Sequence, residues 1–473
     1  MSEQPNMCFS LTADQLSAWR KQFFNEPRNL LAQNVCTTHD PLRMCLPILA
    51  PVVAGPPIKH GVDSERKTTS GGPAWITTGL DLLRLEFAKS FTSLPVDFEF
   101  SAGYLVYWHK LERCNYLLHA VAEHLMRGEP VDGRQFRYLM KHVLPDGGNW
   151  QMFVNLVKKY GVVPKQCYQT TGRTRQLNVI LRSKLREFVS VLHNRFIFDG
   201  DGSGLPTLIG EMMPQLYKVI NIVLGEPPQE FKWTYYDSKK RYQCLEPLTG
   251  STFFKEMVNK NFDLDEMVCL AHDPRLSSSY LHNYEVALSS NMVGGRLQRY
   301  NNQSMDVLVP IIVRSLVGGK AVWLVYDLLA HASKNASADF PLLFGLEMCT
   351  DLNKAERMLY KETGHNQVLL LTEVLLDDED KPVEFRTNAP SPSTTLFLSS
   401  SAANLREIND SVEEKAKIPR LKPSFCIKTD WVREYAFEIV VHSCFVPPDV
   451  LGATTRKECK ELPPWDIMGA FLK

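Results

Sequence analysis

Residues 70 to 87 read SGGPAWITTGLDLLRLEF. Two glycines and a proline make an entry turn. After them Trp75, Gly79, Leu83 and Phe87 recur every four residues, with Ile76 and Leu80 between. That spacing predicts a buried helix entered through a glycine turn. On its carboxyl-terminal side a second helix is expected from about Tyr104 to Met126, with Tyr107, Leu111, Cys114, Leu118 and Val121 on one side and the charges on the other.

Further out, helices are expected over Gln151 to Tyr160, Leu177 to Asn194 and Glu211 to Leu224, the last stopped by Gly225, Pro227 and Pro228. On the amino-terminal side a helix is expected over Leu11 to Leu31 after a Ser or Thr cap, followed by a Pro-rich connection from Pro47 to Pro57. Strand-like runs dominate the last third: Ala321 to Tyr326, Leu342 to Met348, Val368 to Leu376 and Ala436 to Val446. Helices first and strands later predict an α+β fold. Between the last two runs, Pro390 to Pro423 is rich in Ser, Pro, Thr and Lys and reads as a surface excursion.

The composition fits a soluble globule, with 44% hydrophobic and 22% charged residues in 473. Lys plus Arg and Asp plus Glu are 53 each, so no global field draws the chain to polyanions or acidic membranes. One local run is basic: Lys158, Lys159, Lys165, Arg173, Arg175, Arg182, Lys184 and Arg186, with no acid before Glu187. It reads as a solvated helix face rather than a nucleic-acid surface, since aromatic interleaving is thin. Eleven cysteines are scattered singly with no CxxC pair, which points to reduced thiols and a cytoplasmic location. The opening MSEQPNMCFSLTADQ has no basic region followed by an apolar run, and no stretch of about 18 apolar residues occurs. The histidines are scattered without HExxH or Cys and His ligand spacing, so no metal or cofactor is expected. Gly294-Gly295 and Gly318-Gly319 lack the lysine of a phosphate loop and read as turns.

Several long strings then follow one another in a recognisable order. They are LAQNVCTTHD at Leu31 to Asp40, DGGNW at Asp146 to Trp150, SNMVGGR at Ser290 to Arg296, YNNQ at Tyr300 to Gln303, NKAER at Asn353 to Arg357 and LPPWDIMGA at Leu462 to Ala470. FSAGYLVYWHKLERC from Phe100 to Cys114 and YGVVPK from Tyr160 to Lys165 agree in pattern. Over nearly its full length the chain resembles the bleomycin hydrolase family of papain-like cysteine aminopeptidases. The resemblance implies a papain-like α+β fold in three parts: residues 1–130 with the central helix, 131–320 as a mostly helical insertion, and 321–473 as a strand-rich half. The last part carries the 390–423 excursion and a carboxyl-terminal tail.

In that family a Cys at the start of the central helix attacks the peptide carbonyl, a His on a later strand activates it, an Asn orients the His, and an upstream Gln holds the oxyanion. The thiolate is the nucleophile, the imidazole shares its proton, and the amides fix geometry and stabilise developing charge. The family pattern resembles Q-K-S-S-G-R-C-W, and here the chain reads ERKTTSGGPAW. Aligning Trp75 puts Ala74 at the cysteine and Glu65 at the glutamine, where a carboxylate would repel an oxyanion. Aligning the strand through Thr372 to Val374 puts Gln367 at the histidine, and Gln is no general base near neutral pH. His365 lies two residues earlier, on the same strand face if the strand extends that far. At RTNAPSP, Ala389 takes the Asn position, with Asn388 as a one-residue alternative.

The resemblance therefore implies a catalytically inactive relative. It further implies a hexameric barrel, homomeric or mixed with an active paralogue, whose tail Ala470, Phe471, Leu472 and Lys473 lies in a groove formed near Trp75, Gly147, Gly148 and Asn149. The groove would hold that tail or another peptide. Two other readings stay open: an active cysteine aminopeptidase with a rearranged site using His365 and Asn388, and a nucleic-acid-binding barrel using the basic run.

Overall fold

The computed structural model describes residues 10–39, 41, 60–62, 69, 71–170, 173–237, 239–327, 343–345, 352–387 and 425–472. The chain divides into two compact units, residues 1–55 with 329–353 and residues 56–328 with 354–473. In the first, the Thr12 hydroxyl accepts the Gln15 amide while the Gln15 side chain accepts the Thr12 amide, a capping box that starts α1 (Ala13–Asn25). One helix to Leu31 was expected, but the structure has two. Pro27 brings no amide to continue α1 and instead sits at the first position of α2 (Pro27–Thr38).

The second unit is built around α3 (Ala74–Ser90), the helix expected from the opening stretch. Gly71 turns the chain at φ +90°, a conformation other L-residues resist, and Pro73 stands at the cap position. Nearly every side chain from Trp75 to Phe87 is buried, because neighbours surround the helix on all sides. Even its charges are inside. Asp81 meets Arg84 at 3.1 Å and accepts the Thr69 amide at 2.9 Å and hydroxyl at 2.6 Å, which ties the entering chain back onto the helix.

Helices α4 (Ala102–Met126), α5 (Arg134–Lys141), α6 (Trp150–Tyr160), α7 (Thr174–Asp199) and α8 (Leu205–Leu224) follow. Helix α8 begins earlier than Glu211, since Pro206 suits a first turn, and it runs through Pro214. The predicted stripe of α4 meets Leu177, Leu181 and Leu185 of α7 and Ile209, Leu216 and Ile220 of α8, giving this helical part its own core.

The strands are β1 (His60–Gly61), a β2 (Thr234–Tyr236) and β3 (Tyr242–Cys244) hairpin, β4 (Met267–Ala271), β5 (Asn283–Val286), β6 (Arg299–Asn302), β7 (Val322–Tyr326), β8 (Gln367–Leu376), β9 (Pro382–Thr387), β10 (Phe425–Lys428), β11 (Ala436–His442) and β12 (Lys460–Leu462). Apart from the hairpin they form one mixed sheet, in the order β10, β9, β8, β7, β11, β4, β6, β5, β12, with β1 paired to β8. The registers set Trp323 beside Val440 and Val325 beside Glu438, so these residues share a face. On that face Trp323 packs against Trp150 and Phe153 of α6, with ring centroids at 5.1 and 6.5 Å. The long helix α9 (Met305–Val317) packs against the same strands.

Two expected strands need correction. The last was to reach Val446, but β11 ends at His442 and a 3-10 turn covers Ser443–Phe445, where the Cys444 amide turns back to His442 Nδ1 and two prolines follow. The run from Leu342 to Met348 falls mostly outside the described residues, and its described part, 343–345, is not extended. The 390–423 excursion also lies outside the described residues.

Candidate functional site

Ala74 is the first residue of α3. A side chain here stands at the positive end of a 17-residue helix, a place that lowers the pKa of a thiol. A methyl group has nothing to ionise. Its neighbour Trp75 is fully buried and donates its indole N–H to the Asp146 carbonyl at 2.9 Å. His109 of α4 stands edge-on to that indole at 5.0 Å. Burial, then the Lys110 and Arg113 charges, push the His109 imidazole down to about 3, so it is neutral near pH 7.

The DGGNW loop is assembled residue by residue beside this helix start. The Asp146 carboxylate accepts Lys110 at 2.5 Å and both its oxygens accept the Asn178 amide at 2.7 and 2.8 Å, fixing the loop between α4 and α7. Burial raises the Asp146 carboxyl, but the Lys110 charge, the hydrogen bonds from Lys110 and Asn178 and the Arg182 charge together leave the group below the ordinary carboxylate range. The Asn149 side chain accepts the Met152 amide at 2.8 Å, which caps α6, and donates to the Ser289 carbonyl at 2.9 Å. Between them Gly147 and Gly148 leave room for other atoms. A Cβ on Gly148 would stand 2.5 Å from the Trp75 ring, and one on Gly147 would stand 2.5 Å from the Leu472 carbonyl oxygen.

That oxygen belongs to the tail. Gly148 and Leu472 exchange both backbone hydrogen bonds, at 3.0 and 2.8 Å, as an isolated antiparallel bridge. Leu472 is fully buried, and Phe471 packs under the guanidinium of Arg113 at 5.3 Å and edge-on to His142. Arg113 is itself buried and donates to the Ser290 carbonyl. Upstream, Arg134 lies 4.3 Å from the Trp465 ring centroid. Arg275 grips Asp466 through two nitrogens, at 2.9 and 3.1 Å, while holding fully buried Asp273 at 2.7 and 2.9 Å. Asp466 in turn caps the 3-10 turn Ile467–Gly469. The site therefore holds the tail by one reciprocal pair of backbone hydrogen bonds and one buried side chain.

The structure thus brings Trp75, Gly147, Gly148 and Asn149 together with Phe471 and Leu472, and sets Ala74 one residue from Trp75. Gln367 is the half-buried first residue of β8, paired with Tyr326. The strand begins at Gln367 and does not extend to His365, so the condition under which the two would share a strand face is not met. His365 is buried, with Nε2 3.3 Å from the Glu438 carboxylate, and Glu438 also accepts the Gln298 amide at 2.9 Å. The same Gln298 nitrogen lies 3.4 Å from Cys269 Sγ. Burial, then Glu438, push the Cys269 thiol well up, so it stays protonated near neutral pH. Glu65, Asn388, Ala389 and Lys473 lie outside the described residues. Sequence reading missed Lys110, Asp273, Arg275 and the role of Asp146. The signal available was the short spacing of Asp273 and Arg275 and the presence of Asp146 and Asp466 inside two of the family-like strings.

Comparison with known proteins decides the family. A family model described as "Peptidase C1-like family" matches residues 10–390 and 419–469. This chain belongs to the Peptidase C1-like family. Within it, bleomycin hydrolase of Mus musculus is 35% identical over 477 residues, covering 98% of this chain and 99% of the relative. Bleomycin hydrolase of Homo sapiens is 35% identical over 478 residues with the same coverage. Aminopeptidase C of Lactococcus lactis subsp. cremoris is 26% identical over 418 residues, 86% of this chain and 87% of the relative. The crystal structure of PepW from Lactobacillus rhamnosis HN001 superposes with a TM-score of 0.81 at 24% identity, covering 98% of this chain and all of that one. The fold is the α+β papain-like fold of C1 peptidases, and the chain is a homologue of bleomycin hydrolase and aminopeptidase C. Among the described residues no helix is long and apolar enough to cross a membrane.

Proposed function

We propose that this chain is a catalytically inactive member of the Peptidase C1-like family, a scaffold or peptide-holding protein whose groove is filled by its own tail. The observation that carries the proposal is Ala74 at the first position of α3, where the resemblance places the nucleophile. Gln367 at the histidine position supports it, since Gln carries no basic nitrogen. The tail, by contrast, is held by backbone pairing at Gly148 and by the Arg275 grip on Asp466. Exposed apolar side chains on α7 and α8, including Phe198 at 84% and Ile222 at 73% exposure, favour an assembly of several copies, hexameric by family resemblance.

The two rival readings draw less support. An active enzyme needs a thiolate near an imidazole. The thiol that joins the His365 network is Cys269, and its surroundings hold it protonated. A nucleic-acid barrel needs free cations. Six of the eight basic residues of the run are engaged: Lys158 pairs with Asp265, Lys159 with Glu112, Lys165 with Glu99 and Lys184 with Glu187, while Arg182 and Arg186 donate to carbonyls.

The test is aminopeptidase turnover of fluorogenic amino-acid amides by the purified chain, beside an Ala74→Cys variant and a thiol-reactive inhibitor. No turnover is expected from either. Inhibitor-sensitive turnover by the unmodified chain would overturn the proposal and direct attention to Cys269.

A further inference from the structure

Away from the tail, α4 and α8 face each other across an aromatic groove that the proposal above does not use. One part, of about 320 Å³, is lined by Tyr104, Tyr107, Trp108, Tyr160, Tyr217 and Glu226, with Pro227 and Pro228 alongside. A second part, of about 490 Å³, shares Lys159, Tyr160 and Tyr217 with the first and adds Glu112. Trp108 and Tyr160 stack at 4.0 Å with 9° between planes, and Tyr107 stands edge-on to Trp108 at 5.0 Å. The ring of Tyr217 is more than a third exposed.

The charges are unequal. Lys159 lies 5.4 Å from the Tyr160 ring centroid, so the chain already sets an ammonium against this aromatic wall. That ammonium is neutralised by Glu112 at 2.5 Å, which also accepts the Tyr160 hydroxyl. Glu226 accepts the Tyr217 hydroxyl at 2.5 Å, and among the described residues no cation pairs with it. The groove thus presents two carboxylates against one ammonium. Burial, then Tyr217 and Glu226, push the Tyr107 phenol well up.

We propose that this groove is a binding site for an alkylated ammonium group, held against the partly accessible rings of Trp108, Tyr160 and Tyr217 with Glu226 as counter-ion. Aromatic faces attract cations through their quadrupoles. Ring faces accept no hydrogen bonds, so a primary ammonium, with three donors to satisfy, would find Glu226 as its main acceptor, whereas a quaternary one has no donors to satisfy and needs only the counter-ion and the rings. The source of the group is a free small molecule or a methylated lysine side chain, and the chemistry of recognition is the same.

The test is titration calorimetry of the full chain with choline, with its neutral isostere 3,3-dimethylbutan-1-ol, and with trimethyl-lysine amide. Choline or trimethyl-lysine amide should bind at least about tenfold more tightly than the isostere, as a cation–π site requires. Binding of only one of the two cations identifies the source and supports the site. Glu226→Gln should weaken the cation several-fold and leave the isostere unchanged, and Tyr217→Ala, at a partly exposed position, should weaken it further. Equal binding of cation and isostere, or no heat with either cation while circular dichroism reports a folded chain, would overturn the proposal. The outcome is independent of whether the chain hydrolyses peptides.

Discussion

The start of α3 and the landing place of the tail lie side by side and are built differently. At the helix start Ala74 offers only a methyl group, preceded by a proline. At the tail, two glycines, a bidentate arginine and a capping aspartate are assembled with hydrogen-bond distances near 3 Å. Chemistry can be lost at one atom, whereas the binding of a chain end is spread over many contacts and persists only if many are kept. The contrast favours a protein used for what it holds.

The largest effect should come from the tail side. Arg275→Ala would leave Asp273, fully buried, without its cation and release Asp466 as well. Breaking a buried pair by removing one partner costs about 3 to 5 kcal/mol. Urea unfolding should show that loss, and hydrogen exchange at residues 466 to 472 should accelerate more than at β7. A variant that loses under about 1 kcal/mol would show that the grip contributes little and would weaken the contrast.

A second effect belongs to the helix start and depends on pH. His109, edge-on to Trp75, has a folded pKa of about 3, below the unfolded value of about 6.5, so the folded chain binds fewer protons. Its contribution is full above the unfolded pKa and is lost as pH falls through 6.5 toward 3. At about 1.4 kcal/mol per pH unit, wild type should lose about 3 kcal/mol more than His109→Gln between pH 7 and pH 4. Parallel stability curves for the two proteins would remove His109 from the account of this region.

How much of this was legible in the sequence follows from which contacts are local. The helix beginning at Ala74 was readable because its glycine turn and apolar spacing lie within one stretch. So was the helix α4, whose stripe is periodic. The strands β4, β5 and β6 were not, since they are only four or five residues long and carry Asn283, Asn301 and Asn302, which pair and bond to distant segments. The groove residues Trp75, Gly147, Gly148 and Asn149 came from family-like strings, but the reasons for them did not. Gly148 is small because Trp75, 73 positions away, packs against it, and the partner that locks Asp466, Arg275, is nearly two hundred residues upstream. His365 is the opposite case. Its type suggested a base, while its buried contact with Glu438 became visible only when β8 and β11 were placed in register with β7.

The smallest expected effect is also the sharpest probe of the helix start. Ala74→Cys adds one sulfur at a half-buried position and should change stability by no more than about 0.5 kcal/mol. Its thiol would sit at the amino end of α3 with the helix dipole acting on it, and on the proposed reading no imidazole would share its proton. The dipole alone is worth about 0.3 to 1 kcal/mol, less than one pKa unit from the free value of about 8.5. The rate of alkylation by iodoacetamide should therefore rise with a midpoint between about 7.5 and 8.5. A midpoint near 4 would require a cation or imidazole within reach of position 74. The loss at the helix start would then be confined to a single atom, and the same variant should turn over peptide amides. A midpoint in the expected range, with no turnover, would mean that the helix still lends its dipole while the base is gone.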